Sequence, residues 1–464
     1  MKLIPYKIEK KQLIEIHNNA LKILNNIGIE VPESVISKLS GRKGVKIENK
    51  RVKLNNSIVE DFLNKYKSKS VAKKEKKQDK LILRSIGHVQ YFLIPGTEEI
   101  KPISEENLIE ATKLIDVLYS DGIRGCCPGR PQELPSKLQS LAQYRISCLY
   151  SRQPTIPAFF SIWEGEYLTK MYEIITGEKL NTIGIHIISP LKMIGEEVEI
   201  GLYFMQKGVK EIWVDTMPTV GATAPIFIPM AFSQAAAEVI GVSLILKILS
   251  EEQVDVNFTV SVYPFDLKYG CFVYGSAEHI LMEILNWKIN EFYGRDIRLS
   301  KAFHTMAKLP DVQCGATVGA FAMAMMLLGA ETFSGAGSLC IDEIWSHEKL
   351  MIDKEIFNYI KRVKNGIEFK IDSSLLEIIN EGIKENSFLG NYSTVKNYRN
   401  TYWLPELFEH ESLSIWKVKG KSIREKAYEL FKSKIKEYNY ELEATKRIEI
   451  EKIYDYSKKE LQNK

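Results

Sequence analysis

Arg295-Asp296-Ile297-Arg298-Leu299-Ser300-Lys301-Ala302-Phe303-His304 opens the stretch whose reading decides the fold. After the polar turn Lys308-Leu309-Pro310-Asp311 comes an uncharged segment from Val312 to Ala330, and then Thr332-Phe333-Ser334-Gly335-Ala336-Gly337. The first run reads as a strand. The uncharged segment is too long for one and predicts a buried helix, and the last run predicts a second strand ended by glycines. Strand, helix, strand in this order calls for parallel strands joined by a crossover.

The same alternation extends upstream. Ile123–Cys127, Ile156–Ile162, Ile183–Ile188, Glu211–Thr216 and Val256–Tyr263 are strand candidates, with helical periodicity at Leu138–Tyr150, Glu196–Lys207, Pro229–Leu249 and Glu278–Phe292. With Ile297–Phe303 and Thr332–Gly335 they make seven, and an eighth has no assigned place. The expectation is an α/β fold, a (β/α)8 TIM barrel. Residues 1–103 are expected to be a helical segment with a β-hairpin (Leu81–Arg84 against Val89–Ile94), 104–365 the barrel, and 366–464 a charged helical tail. Ser104 before Glu105 and Glu106 predicts a helix start.

In a barrel, ligands meet the residues that follow each strand. Those positions hold Pro128-Gly129-Arg130, Trp163-Glu164, Ser189-Pro190, Met217-Pro218-Thr219, Pro264-Phe265-Asp266, His304 and Gly335–Gly337, with Trp345, Ser346 and His347 beyond the glycines. The set is rich in aromatic residues and poor in paired carboxylates. No glycine-rich phosphate loop follows the first strand, so no nucleotide is expected.

Composition narrows the class. The 464 residues are 45% hydrophobic and 26% charged, with net charge +4, and lysines alternate with glutamates, so no basic face for nucleic acid is expected. Val312–Ala330 is long enough to raise a membrane span, but Gln313, Cys314, Thr317 and three glycines argue for a buried helix. The start, Met1–Lys7, lacks a secretory signal. Six cysteines without CxxC spacing predict reduced thiols in the cytoplasm.

Met217-Pro218-Thr219-Val220-Gly221-Ala222-Thr223-Ala224-Pro225, followed by a helix with Glu238, resembles a signature of the trimethylamine methyltransferase superfamily. The resemblance continues at His17–Val31, Ser189-Pro190-Leu191, Tyr274–Glu278, Tyr293-Gly294, Lys308–Asp311, Gly335–Gly337 and Ser346–Glu355, covering about residues 10–360. It implies a TIM barrel that passes a methyl group from a methylated amine to a corrinoid on a separate cognate protein, cob(I)alamin becoming methylcobalamin. Members that act on trimethylamine carry pyrrolysine shortly before the segment matching Lys308–Asp311, within what is here Phe303–Thr305. His304 stands at that place. The resemblance therefore points to the non-pyrrolysine branch and to quaternary amines such as glycine betaine.

Chemistry agrees with that branch. A quaternary ammonium loses a methyl group with a neutral tertiary amine departing, so the protein need only orient the donor and hold its cation. Aromatic faces attract such a cation by roughly 0.5–2 kcal/mol each.

His304 takes the catalytic place, shaping the pocket or hydrogen-bonding a substrate carboxylate. His347, Trp345, Tyr263, Phe265, Phe160, Trp163 and Phe303 are the substrate-binding candidates, and Gly335, Gly337, Met217 and Thr219 the corrinoid-facing ones. Asp215, Asp266, Glu278 and Glu343 are the carboxylates available to an ammonium, and His186 reads as a core histidine. Zinc is not expected: His304, Cys314 and Cys340 have ligand chemistry but no ligand spacing. A homo-oligomer fits the family. The alternatives are a non-catalytic amine- or corrinoid-binding regulatory barrel, trimethylamine or another donor within the family, and zinc-dependent transfer.

Overall fold

In the computed structural model, which describes residues 8–72, 80–369 and 371–463, the chain begins with α1 (Lys10–Asn26). Its apolar stripe, Leu13, Ile16, Ala20, Leu21 and Leu24, is buried at helical spacing. Met1–Lys7 and the basic run Lys73–Lys77 lie outside the described residues. Next come β1 (Ile29–Glu30), α2 (Glu33–Leu39), β2 (Val45–Glu48), β3 (Arg51–Leu54) and α3 (Asn56–Ala72). The three strands form a small antiparallel sheet in the order β1-β3-β2.

The next part carries the site. It comprises β4 (Ile82–Ser85), β5 (Tyr91–Leu93), β6 (Ile100–Pro102), α4 (Glu105–Val117), β7 (Ile123–Arg124), α5 (Ser136–Tyr150) and α6 (Ile162–Thr176). Then follow β8 (Thr182–Ile187), α7 (Glu196–Gln206), β9 (Glu211–Thr216), α8 (Ile228–Leu249), β10 (Asp255–Thr259), the β11 (Phe265–Asp266) and β12 (Cys271–Phe272) ribbon, and α9 (Ala277–Phe292). β13 (Leu299–Ser300), α10 (Val312–Leu327), β14 (Thr332–Ala336), the β15 (Ser338–Leu339) and β16 (Ile344–Trp345) hairpin, and α11 (His347–Asn365) complete it. Ser104 caps α4 as expected, its hydroxyl accepting from Asn107 N–H at 3.2 Å.

The strands form two parallel sheets, β8-β9-β10 and β13-β14-β4-β7. This is an α/β fold with crossover helices. Among the described residues no ladder joins β10 to β13 or β7 to β8.

Two expectations are corrected. Leu81–Arg84 and Val89–Ile94 do not pair as a hairpin: β4 lies between β14 and β7, parallel to both, while β5 pairs with β6 and β16. Both runs have strand character, but partners some 40 and 250 residues away in the chain decide which sheet each joins. Residues 156–161 form no strand, and Ile162 instead begins α6, capped by Ser161.

Each parallel sheet buries one of its faces in an apolar core cluster of its own. In β8, Ile183, Ile185 and Ile187 are buried in one core cluster with Ile212, Val214 and the residues of α8, while Thr182, Gly184 and His186 on the other face are exposed. Register extends that accessible face across the sheet as three rungs: Thr182-Glu211-Asp255, Gly184-Trp213-Asn257 and His186-Asp215-Thr259. On the second sheet the rung Ser334-Arg84-Arg124 is similarly polar, while Phe333, Leu83 and Ile123 are buried in a second core cluster. α8 is the described helix long and apolar enough to cross a membrane, and 89% of that apolar window is buried in the protein. α10 places Cys314, Val318, Phe321 and Ala322 in the core, as the uncharged segment predicts.

The C-terminal region divides in two. The helices Ile423–Lys434 and Ala444–Gln462 bury Phe431, Ile450 and Tyr454 against the body, and Arg145 grips Glu451 with two nitrogens at 2.6 and 2.8 Å. Most of residues 366–369 and 371–420 behave differently, although Leu407 is buried in the core. Phe369 is 99% exposed, Leu389 85% and Val418 81%, and the helix Leu375–Lys384 buries only Gly382.

Candidate functional site

Backbone geometry at the carboxyl end of β14 brings the site together. The register shift between Ser334 and Ala336 sets Gly335 at φ 107°, and a Cβ there would stand 2.5 Å from the His304 nitrogen. Glycine therefore allows the loop after β13 to close on β14. Ser334 Oγ then lies 2.9 Å from His304 Nε2.

The β15–β16 hairpin supplies the other partner. Its turn holds Cys340, Ile341 and Asp342 at φ 52°, 54° and 69°, left-handed values that L residues adopt at a cost of order 1–3 kcal/mol each. Backbone bonds from Cys340 to Ala307 (2.9 Å) and from Ile341 to Thr305 (3.2 Å) hold it there. Asp342 Oδ1 meets His304 Nδ1 at 2.6 Å and also accepts from Ser338 Oγ at 2.9 Å. Both imidazole nitrogens are thus engaged, which fixes the plane of the ring.

Aromatic rings wall this pair. Tyr274 packs 4.7 Å from the His304 ring, and Tyr263, Phe272 and His279 surround Tyr274. Lys301, the residue after β13, sets its ammonium 4.4 Å over Tyr263 and 5.9 Å from the Tyr274 centroid. Glu283 on α9 accepts the Lys301 N–H at 3.0 Å.

The charge states follow from burial and neighbours. Burial pushes the Asp342 carboxyl up, but His304, Ser338 and Lys301 together outweigh it and hold it below its usual range. Burial, reinforced by Lys301 and His304, pulls His279 down to about 3, so it is neutral. Its Nδ1 accepts from Gly275 N–H at 3.2 Å, and Nε2 is buried without a partner. Burial raises Glu283 to about 7. Burial and Arg130 lower His88, which also senses Asp342, His186 and His304, while His186, on the other sheet, is raised chiefly by Glu197 at 2.8 Å and senses Lys301. A cavity of about 210 Å³ opens beside His186, between Ile156, Phe159, Thr182 and Gly184.

Behind the site, α11 braces it. Lys349 Nζ reaches Asp353 Oδ2 (2.6 Å), the Phe303 carbonyl (2.8 Å) and the Gly335 carbonyl (3.4 Å), all fully buried. Asp353 Oδ2 also accepts from Gly337 N–H at 2.8 Å. Glu238, on α8, is a second such tie: it accepts from Ser189, Leu191, Thr216 and Gln234 and joins the loop after β8 to β9.

The structure sorts the residues singled out from sequence. It brings His304 and Tyr263 into one cluster, with Phe265 at its edge, paired with Phe272 on the β11–β12 ribbon. Phe160 is 38% exposed and stacks under Arg130 at 4.0 Å, and Trp163 packs on Tyr167. Met217 is exposed at the end of β9, and Thr219 bonds Thr223.

Five of the assigned residues meet a different environment. Phe303 is fully buried against Phe333 and Phe357. Trp345 is fully buried and donates to His347 Nδ1 at 3.0 Å, and His347, also fully buried, pairs with Glu110 and packs on Phe92 and Phe431. The β15–β16 hairpin turns these rings into the core, where they complete packing and offer no open face. Gly335 and Gly337 admit the chain itself: a Cβ on Gly337 would meet the Trp345 ring at 2.4 Å.

Sequence reasoning misses Asp342, Ser334, Ser338, Tyr274 and Lys301. The signal for Asp342 was its place in a turn between two short strands. Lys301 carries none, because one lysine ending a strand reads as solvent-facing. Among the described residues no three metal-ligand side chains converge.

The family model described as Trimethylamine methyltransferase (MTTB) matches residues 4–461. A glycine betaine methyltransferase of Desulfitobacterium hafniense (strain Y51) is 23% identical over 439 residues, 91% of this chain and 90% of the relative. A trimethylamine methyltransferase MttB of Desulfitobacterium hafniense (strain DSM 10664 / DCB-2) is 21% identical over 90% of this chain and 87% of its own. The MttB of Methanosarcina barkeri is 30% identical over 174 residues, 38% of this chain and 35% of its own.

Proposed function

Because the chain belongs to the trimethylamine methyltransferase family, we propose that it is a methyltransferase that takes a methyl group from a small quaternary, glycine betaine-like amine. The acceptor is the corrinoid of a cognate partner protein. One observation carries the choice of donor: at the carboxyl ends of the strands, where the pyrrolysine branch has its special residue, stands His304 with both nitrogens held. Likeness to a glycine betaine methyltransferase along nine-tenths of the chain supports the same choice.

The chain's own task is positioning. Asp342 and Ser334 fix the His304 ring, Tyr274 packs on it, and the Lys349–Asp353 pair holds the two loops from behind. No proton need move, since a quaternary donor leaves as a neutral amine. The corrinoid, when docked, supplies a cobalt(I) nucleophile for the methyl group. The rim fits such a visitor: Met217, Ile226, Phe227 and Met230 after β9, and Leu267 and Tyr269 on the β11–β12 turn, stand 42 to 71% exposed, an apolar collar at the open end.

Closure of the two sheets into one barrel, in the order β4-β7-β8-β9-β10-β13-β14, belongs to this reading, as does a cytoplasmic setting for the six free cysteines. The three-part division at 103/104 and 365/366 is proposed with β4 lending its strand across the first boundary. A homo-oligomer is proposed through residues 366–420, whose exposed apolar side chains are of the number that large homodimer interfaces bury.

The test is methylation of free cob(I)alamin or of a corrinoid protein, followed by its visible spectrum, with glycine betaine and other quaternary donors. No spectral change with any donor would sink the assignment. Binding without transfer would favour the regulatory alternative.

A further inference from the structure

β10 and β13 are neighbours in the proposed barrel, yet among the described residues no ladder joins them. Alternate residues of a strand turn their backbone groups to opposite sides. Asp255 and Tyr263 turn theirs toward β9, where their N–H groups meet the Lys210 and Pro218 carbonyls at 2.7 and 3.1 Å. Val260 and Val262 turn away from β9, and side chains of α9 meet them. Val260 donates to Asn290 Oδ1 at 3.0 Å and accepts from Asn290 Nδ2 at 2.7 Å, and Val262 does the same with Asn286 at 2.9 and 3.4 Å.

The same helix completes β13. Arg298 and Ser300 pair with β14, whereas the Leu299 carbonyl accepts from Trp287 Nε1 at 3.0 Å and the Lys301 N–H donates to Glu283 Oε2 at 3.0 Å. Glu283, Asn286, Trp287 and Asn290 recur at helical spacing and share one face of α9. Buried backbone groups need partners, and here one helix face supplies them to both strand edges in place of a ladder. The effect reaches the site. Val262 precedes Tyr263, and Lys301, which leads into His304, hydrogen-bonds Tyr263 from the other sheet with its ammonium 4.4 Å over the ring.

We infer that Asn286 and Glu283, one turn apart on α9, are positioning residues: they set the separation between the Tyr263 wall and the Lys301–His304 wall, between which the methyl donor is aligned. The inference rests on the proposed function for the reaction, but its exchange arm does not depend on turnover.

Hydrogen exchange of the full chain, read by mass spectrometry, and donor kinetics with cob(I)alamin test it together. Asn286→Leu should speed exchange at residues 260–262 and at Lys301 alike, while β8 and β14 stay as protected as in the wild type. Its kcat should fall about tenfold to a hundredfold with KM changed by less than about threefold, because the walls are misaligned rather than lost. Asn286→Asp, which still accepts the Val262 N–H, should restore part of kcat. Trp287→Phe keeps the ring, removes the bond to Leu299 and tests the same seam from the β13 side if Asn286→Leu does not fold; it should loosen both edges and lower kcat by a smaller factor. Faster exchange confined to the edge nearest the substitution, or spread evenly over both sheets, overturns the inference. So does a KM that rises while kcat holds. Coupled exchange in a protein whose wild type transfers no methyl group would instead overturn the activity and leave α9 as the brace between the two walls.

Discussion

Asp342 Oδ1 stands 2.6 Å from His304 Nδ1, across 38 residues of chain and from a hairpin turn with three left-handed residues in a row. The turn places the carboxylate; the carboxylate places the ring. Asp342→Asn keeps the shape but can present an N–H where the ring needs an acceptor, so the ring loses its fixed plane. Methyl transfer should fall by roughly a hundredfold through misplacement, measured at a temperature where both proteins remain folded. A KM that rises while kcat holds would assign Asp342 to binding only.

The sign of its pH effect follows from its lowered carboxyl. Asp342 contributes stability that is present above the ordinary Asp value and is lost as pH falls through the lower folded value. Denaturant midpoints of the wild type and Asp342→Asn should therefore converge in strong acid and separate above it. A constant gap from neutral pH down to strong acid would contradict this.

Glu283 works in the other direction. Burial raises it to about 7, so its contribution is fully present below the ordinary Glu value near 4.5 and disappears as pH rises through about 7. Glu283→Gln still accepts the Lys301 N–H and carries no charge. Relative to wild type it should gain stability between pH 5 and pH 8, on the order of 3 kcal/mol at most. The same difference at both pH values would show that Glu283 does not ionise there.

Lys349 and Asp353 form a fully buried pair one helical turn apart. Lys349→Met or Asp353→Asn alone strands a partner, and each should cost about 3–5 kcal/mol by chemical denaturation. The double variant Lys349→Met with Asp353→Leu should recover much of that loss. If it does not, the bonds to Phe303 and Gly335 matter more than the pair itself.

Gly335→Ala places a methyl group against the His304 backbone at a φ that alanine resists. It should lower stability by about 2–4 kcal/mol and abolish transfer, whereas Gly177→Ala, at a helix end in open space, should cost only about 1 kcal/mol. Comparable losses at both glycines would mean that backbone strain, and not the approach of His304, sets the requirement.

Periodicity made the helices and most parallel strands legible, because α5, α7, α8, α9 and α10 each carry an apolar pattern long enough to exclude a strand. Short runs were harder. Leu81–Arg84 and Val89–Ile94 look alike from within, and only distant partners distinguish them. His304 was legible as a site residue, but the atoms that hold it come from Ser334 in a strand and Asp342 in a tight turn, and no local pattern announces such a meeting. Trp345 and His347 mislead for the opposite reason. They follow glycines as loop residues do, yet the hairpin folds them inward.

Along β8 the two faces carry different burdens. Ile183, Ile185 and Ile187 keep the protein folded, while Thr182, Gly184 and His186 are exposed and hold little of the core. Replacing every residue from 182 to 187 in turn should therefore yield an alternating record, abundance lost at odd positions and donor preference altered at even ones. A lineage could retune its diet along this strand by every second codon, leaving the scaffold intact.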